Sequence, residues 1–477
     1  MTATAARKVD WAGIKPFVPM LIALWVAEAT SSFEASMVYA AQKALNEEFG
    51  DPALLGLLYS TFPIVGAAAA ALVGRMGDMF GRRRLLLIAL AACAIGSLMS
   101  AVSSGMPWLL LAGRLVQGMT GAVLALSVGL VRENMPPPLV PMGIGLMMSG
   151  ASLGTAAGLV LGGVIVDLSS WRGIFFASAL FCLITWAAIY ATVPKSPQHP
   201  AKGKTDWFSG IIFAPGIMLL LYYVGSTAKR GLLNEAGVIA LVIGLALLGF
   251  WIWRSVREEE PLLDVRLFAD RNVFVASAVS ALVALSSLQI VLFFQILLQN
   301  PVWTGVGLGV SATLAGLAKL PSNIGSTFAG PLTGWITGRG GGRAAMLLGG
   351  CLATFGWILS WLFNDDYLVT VIIVCIISFG TTILFTVGPT IVASAVVEAR
   401  TSEVTGMLSV VRGVFSGIGA MIVTSLLASH VIADPASKAS FPTAEAFNLT
   451  YMAIIGFSIL ATLMALALPK TRFGDTP

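Results

Sequence analysis

Apolar residues run along this chain in long unbroken stretches, separated by short segments where charges and prolines collect. The stretches do not alternate apolar with polar residues, as half-buried strands do, and barrel strands would be about half their length. A helix needs about 20 mostly apolar residues to cross a bilayer. On that measure the sequence predicts spans near residues 16–38, 53–74, 85–104, 108–131, 142–166 and 172–193, then 207–226 and 236–253. Six more are expected near 273–298, 306–335, 344–363, 368–396, 405–430 and 447–468, fourteen in all. The first run is too long for a signal-peptide core and no small-residue cleavage site follows it, so it reads as a retained span.

Composition narrows the class further. Of 477 residues 57% are hydrophobic and 11% charged, with mean hydropathy +0.89, against roughly 25% charged in a typical soluble protein. That excludes an ordinary soluble enzyme, a secreted disulfide scaffold and a disordered chain. The net charge of +5 and pI near 9.1 would suggest nucleic acid in a soluble domain. Here the basic residues sit in the connections between apolar runs, where they set topology. With the N-terminus inside, 20 of the 28 lysines and arginines fall on the inner side. Lys43, Arg172, Lys229, Arg230 and Lys438 fall outside, and Arg114, Lys319 and Arg412 lie within spans. Both termini are therefore expected in the cytoplasm of a cell bounded by this inner (plasma) membrane.

The longest polar connections, Pro194–Asp206 and Arg254–Asn272, divide the chain into three parts. These are an N-terminal six-helix bundle at 16–193, an inserted helix pair at 207–254 and a C-terminal six-helix bundle at 273–468. The segment GRMGDMFGRRR (Gly74 to Arg84) after the second span has a weaker echo, GWITGRGGGR (Gly334 to Arg343), at the corresponding place in the later half. Such an echo is the mark of parallel repeats. The inserted pair holds no embedded acid or base, so it is expected at the periphery, with no part in coupling.

Four features carry candidate chemistry. In the first, Asp78 between Gly74 and Gly81 can offset the positive N-terminus of a neighbouring helix, while Arg82, Arg83 and Arg84 supply donors. Arg114, followed by Gln117 and Gly118, places a charge inside the fourth span, which is costly unless it faces water or an acid. Gly145, Gly154, Gly158, Gly162 and Gly163 line the fifth span at spacings that let a neighbouring backbone approach closely. Glu28 and Glu34 lie in the first span, six residues or about 240° apart, and so do not share a face.

These motifs resemble those of the major facilitator superfamily, and specifically its fourteen-span drug:proton antiporter group, over about residues 16–468. The resemblance implies an all-α membrane protein with two six-helix bundles around a central cavity, plus two accessory helices. It implies that Gly74, Asp78, Gly81, Arg82, Arg83 and Arg84 latch the inner helix ends. It also implies that Arg114 belongs to a proton relay, and that the glycines of span five form an antiporter-like motif. Leu159 stands where the family pattern has proline. Glu34 stands where the family carries its acid, although Tyr39, Gln42 and Lys43 replace the residues usual after it. Glu28 has no such counterpart and is kept as the alternative proton carrier.

At 1.5 Å per residue, Glu34 and Arg114 are expected roughly 6–12 Å beneath the outer surface, with Lys319 near the same level. The three are therefore expected to form one proton site, in which burial competes with a nearby arginine. Lys319, Gln117, Phe293, Phe294, Asn323 and Arg412 are candidates for the substrate cavity.

The expected function is proton-coupled efflux of amphiphilic or aromatic small molecules by a monomer, with substrate, protons and lipid as partners. Proton-coupled or facilitated uptake of an organic anion is the alternative, favoured by Lys319 and Arg114. A membrane enzyme or sensor is disfavoured, because no histidine cluster or Ser/His/Asp arrangement exists. Cys93, Cys182, Cys351 and Cys375 sit inside apolar runs at spacings that fit no metal motif, and His199 and His430 are too few for a metal site. No cofactor or metal is expected. Without a G-x-x-x-x-G-K-[ST] motif, energy is expected from an ion gradient.

Overall fold

The computed structural model describes residues 15–196, 207–230, 233–258, 265–394, 401–434 and 439–468. The chain folds as helices, with one small ribbon. The first part comprises α1 (Val18–Ala40), the short α2 (Gln42–Phe49), α3 (Pro52–Phe80), α4 (Arg82–Ala101), α5 (Pro107–Gln117), α6 (Val123–Asn134), α7 (Val140–Leu168) and α8 (Trp171–Thr192). Helices α9 (Trp207–Arg230) and α10 (Glu235–Arg257) follow. The last part holds α11 (Arg271–Leu285), α12 (Ile290–Gln299), α13 (Ala312–Leu317), α14 (Leu320–Leu362), α15 (Tyr367–Ser394), α16 (Thr401–Leu427) and α17 (Ala444–Ala465). Between α16 and α17, β1 (Val431–Ala433) and β2 (Ser440–Pro442) pair antiparallel, with Ile432 opposite Phe441.

Twelve helices among the described residues are long and apolar enough to cross a membrane, and they coincide with twelve of the fourteen expected stretches. The two others differ in kind. Near 207–226 stands α9, 24 residues long, of which the apolar stretch Ile212–Val224 has most of its side chains described. Near 306–335 the expected single span starts late. Gly305, Gly307 and Gly309 all take positive φ, a turn conformation that suits glycine, and Ser311 caps the start of α13.

The glycine and arginine echo between the halves has a structural counterpart. Gly81, at φ +92°, separates α3 from α4. Gly341, at φ +77°, is a non-helical residue inside the 43-residue α14 and divides it into two straight pieces. Both breaks need a residue without a Cβ, because L side chains avoid this region. The loop expected between the tenth and eleventh spans is thus a one-residue break.

Helices in lipid gain little from hiding apolar surface from one another, so close backbone approach holds them together. α1 packs on α7, α4 on α8, α14 on α15, and α3 on α16 across the two halves. A cluster of Ile64, Ala67, Phe213, Ile217, Trp251 and Val414 seats α9 against α3 and α16. The apolar window of α10 is only 22% buried, so this helix faces outward.

Contacts between the halves concentrate at the end carrying the ribbon. Asp167 on α7 accepts hydrogen bonds from Ala312 N at 3.2 Å and from Thr313 N at 2.9 Å, and Thr313 Oγ1 donates to it at 2.6 Å. Asn46 Nδ2 donates to Ser440 O at 2.8 Å. A Cβ on Gly163 would lie 2.5 Å from Ala312 O, and one on Gly316 would lie 2.4 Å from Leu159 O. The halves are therefore sealed at the ribbon end.

Candidate functional site

Glu34 faces the interior of the first half, away from the second. Three small-residue helices make room for it: α4 and α8 pack closely, and a Cβ at Gly96 would lie 2.6 Å from Gly113 O. Its side chain is 0% exposed. Ser178 Oγ on α8 donates to Glu34 Oε1. Ser178 Oγ lies 2.7 Å from Ser97 Oγ on α4, which accepts from Gln117 Nε2 at 2.8 Å. Gln117 Oε1 in turn accepts from Arg114 at 2.8 Å, and Arg114 also donates to the main-chain oxygen of Glu34 at 3.2 Å. The result is a closed polar ring through four helices, with Arg114 1% exposed and its guanidinium 4.6 Å from the Phe62 ring centre.

The ring has a direction. Gln117 donates toward Ser97, and Ser178 donates to the carboxylate, so a negative Glu34 is stabilised by donors that polarise one another. Glu34 Oε2 has no hydrogen-bond partner among the described residues. A proton can sit on that oxygen without breaking the ring. The local helix geometry supports the arrangement. After Gln117 the chain tightens into a 3-10 segment, Gly118–Ala122, and a Cβ at Gly121 would lie 2.3 Å from the Gly66 backbone. That contact fixes where Arg114 and Gln117 enter the interior.

The structure brings Glu34, Arg114 and Gln117 together and leaves the other candidates apart. The expected contact between Arg114 and the Glu34 carboxylate is made through the Glu34 main chain instead. Lys319 does not join them. It lies in the second half, where its Nζ donates to Ser378 Oγ beside a cavity of about 10 Å³ lined by Leu159, Phe294, Gln295 and Val374. Depth along a helix does not specify the helix's rotation, which places Lys319 on its own half.

Phe293 is fully buried among Phe294, Trp357, Phe447 and Tyr451. Arg412 stays within the second half, with its guanidinium 4.0 Å from the Phe385 ring centre and donating to Phe385 O at 3.0 Å. Asn323 is half-buried one turn after Lys319. Glu28 is 5% exposed and takes no part in the ring; its Oε1 has no hydrogen-bond partner among the described residues.

In the gating motif, Arg82 pairs with Glu133 at 2.6 Å and donates to Gly129 O at 3.3 Å. Arg83 donates to Tyr190 O and lies over the Tyr190 ring, while Arg84 is exposed. A Cβ on Gly74 would lie 3.4 Å from the Ala125 side chain, ordinary van der Waals contact. The side chain of Asp78 lies outside the described residues. The glycines of α7 divide by partner. Gly154 and Gly158 meet the α1 backbone and Ser36, Gly162 meets Met37 and Ala40, Gly163 meets α13, and Gly145 meets open space.

Sequence reasoning missed Ser97, Ser178, Cys93 and Cys182 as the surroundings of Glu34, Glu133 as the partner of Arg82, and Asp167 as the clasp between halves. Polar side chains inside apolar runs were the only signal available for the first four, and Asp167 at a span end was the signal for the clasp.

This fold, with its broken helices and paired halves, is that of a secondary transporter. A family model described as Major Facilitator Superfamily matches residues 24–420, so the chain belongs to that superfamily. That superfamily is one of membrane transporters, which are not enzymes. Multidrug resistance protein Stp of Mycobacterium tuberculosis (strain CDC 1551 / Oshkosh) is 26% identical over 362 residues, 75% of this chain and 66% of that protein. The chain thus spans just under two thirds of that relative's length. The MFS-type transporter YwoD of Bacillus subtilis (strain 168) is 25% identical over 447 residues, covering 92% of this chain and 94% of that one. In fold, the chain is similar to the partially occluded inward open xylose transporter XylE from E. coli, with a TM-score of 0.64, 13% identity, and coverage of 97% and 100%.

Proposed function

We propose that this protein exports amphiphilic or aromatic small molecules in exchange for protons, as a fourteen-span antiporter with both termini in the cytoplasm. The observation that carries the reading is the buried ring from Glu34 to Arg114. It contains one carboxyl group whose second oxygen has no hydrogen-bond partner among the described residues and can take a proton. The relatives named as multidrug resistance proteins support the substrate class. In this account Glu34 holds a proton while sealed from water and gives it up when the halves rock and water reaches it. Asp78 and the arginines after it steady the cytoplasmic helix ends in the closed state. The two spans beyond twelve are α9 and the opening of α14.

A second reading, uptake of an organic anion, is favoured by Lys319, which places a half-buried cation beside Phe294 and Leu159. A thermal-shift screen of lipophilic cations against aromatic carboxylates separates the two. The proton reading is tested with Glu34→Gln in proteoliposomes under an imposed pH gradient. The expected result is retained substrate exchange with at least a tenfold loss of gradient-driven accumulation. Undiminished accumulation removes Glu34 from the mechanism and moves the role to Glu28.

A further inference from the structure

Cys93 on α4 and Cys182 on α8 are 89 residues apart in sequence, yet their sulfurs lie 3.3 Å apart. Cys182 Sγ is 3.6 Å from Glu34 Oε1, and the ligand atoms of all three residues fall within 4.8 Å of one another. All three side chains are 0% exposed. The unpartnered Oε2 of Glu34 belongs to the same cluster. Two thiols and a carboxyl converging from three helices, one oxygen still lacking a donor, make a ligand set rather than a packing accident.

We propose that Glu34, Cys93 and Cys182 bind one soft divalent cation of the zinc class, through two thiolates and one carboxylate oxygen. Thiolates select soft and borderline ions over magnesium or calcium. Two Zn–S bonds of about 2.3 Å at the tetrahedral angle would set the sulfurs about 3.8 Å apart, a widening of about half an ångström from 3.3 Å. The charge balances without an added counter-ion. The ion brings two positive charges and displaces the two thiol protons to solvent, together with the carboxyl proton when Glu34 holds one, so the loaded pocket, with Glu34 and Arg114 included, is neutral. That neutrality is what permits a dication at a site so far from water. The supporting contacts are also present: Ser178 holds Oε1, and Ser97 stands behind Ser178. A bound ion would tie α1, α4 and α8 together.

The test is titration of the full-length protein in detergent with Co²⁺, a coloured stand-in for zinc, followed by displacement with Zn²⁺. The expected result is one equivalent of Co²⁺ with the sulfur-to-cobalt charge-transfer absorption of a thiolate-bound ion, retained in a Cys351→Ser/Cys375→Ser variant. Cys93→Ser and Cys182→Ser should abolish it, and Glu34→Gln should weaken it about 10–100-fold. Absence of the band from the wild-type protein, or its persistence in both single-cysteine variants, overturns the proposal. If the cysteine variants do not fold, X-ray absorption of the zinc-loaded wild-type protein decides. Two sulfur scatterers support the site, and a purely nitrogen and oxygen shell overturns it. Every readout is made without transport, so this inference stands or falls apart from proton coupling.

Discussion

Arg114 keeps a full charge inside a span by sharing it among neutral partners: the Gln117 amide, the Glu34 carbonyl and the Phe62 ring. The hydrogen bonds come from one terminal nitrogen, and Arg114 Nε has no hydrogen-bond partner among the described residues. Outside the spans, a different acid is held firmly. Glu48 at the end of α2 accepts from Trp171 Nε1, from Gly105 N at 3.2 Å and from Arg172 at 3.3 Å, joining three segments at the ribbon end. Partial burial pushes its carboxyl upward, but these hydrogen bonds and the Arg172 charge outweigh that and hold it below the ordinary carboxylate range. A depressed carboxyl contributes stability above the unfolded-state value, and that stability is lost as pH falls through the folded value. Glu48→Gln should therefore unfold at lower temperature near pH 7, by about 1 kcal/mol or less at so open a site. The gap to wild type should close on acidification below about pH 4. Thermal unfolding in detergent across pH checks this, and a gap that persists at low pH would show that the carboxylate charge is not its source.

At the scale of elements, α7 owes its tight seat on α1 to glycine positions that differ sharply in their surroundings. A Cβ on Gly154 would lie 2.2 Å from Ala29 O and one on Gly158 2.1 Å from Ser36 Oγ, whereas nothing lies near Gly145. Backbone on the far side of a contact does not yield as a flexible side chain does. Gly154→Ala should destabilise the protein by about 1–3 kcal/mol, while Gly145→Ala should fall within about 0.5 kcal/mol of wild type. Paired melting measurements in detergent decide it, and equal effects at both positions would refute the packing argument. The spacing of these glycines was legible in the sequence. Which of them touch α1, which touches α13 and which touches nothing was not, because spacing gives a helix face and not the identity of its neighbour.

For the whole molecule, the sealed state depends on contacts between halves at the ribbon end. Asp167 is their most polar element, clasping the first residues of α13 through three donors. One charge-assisted hydrogen bond of this kind is worth about 1.5–3 kcal/mol, or roughly a tenfold to hundredfold shift in a two-state balance. Asp167→Ala should therefore populate a state opened at the ribbon end. Distances between spin labels placed there on α7 and α15 measure it, and an unchanged distance distribution would mean that the glycine contacts alone hold the seal.

Apolar run length and charge placement determined by themselves that this chain is a multi-pass membrane protein, where most of its helices lie, and that Glu34 and Arg114 are embedded. Each follows from local composition, because partition into lipid is decided residue by residue along a stretch of about 20. The breaks at Gly81 and Gly341 were similarly visible as glycine-arginine clusters. Tertiary structure alone decided that Glu34 meets Ser178 and Cys182, 144 and 148 residues away, rather than Lys319. It also decided that Asp167 clasps the opposite half. These outcomes depend on how each helix is rotated and which neighbour it packs against. In lipid that choice is made by close backbone approach at small residues, a property of pairs of helices that no single stretch of sequence contains.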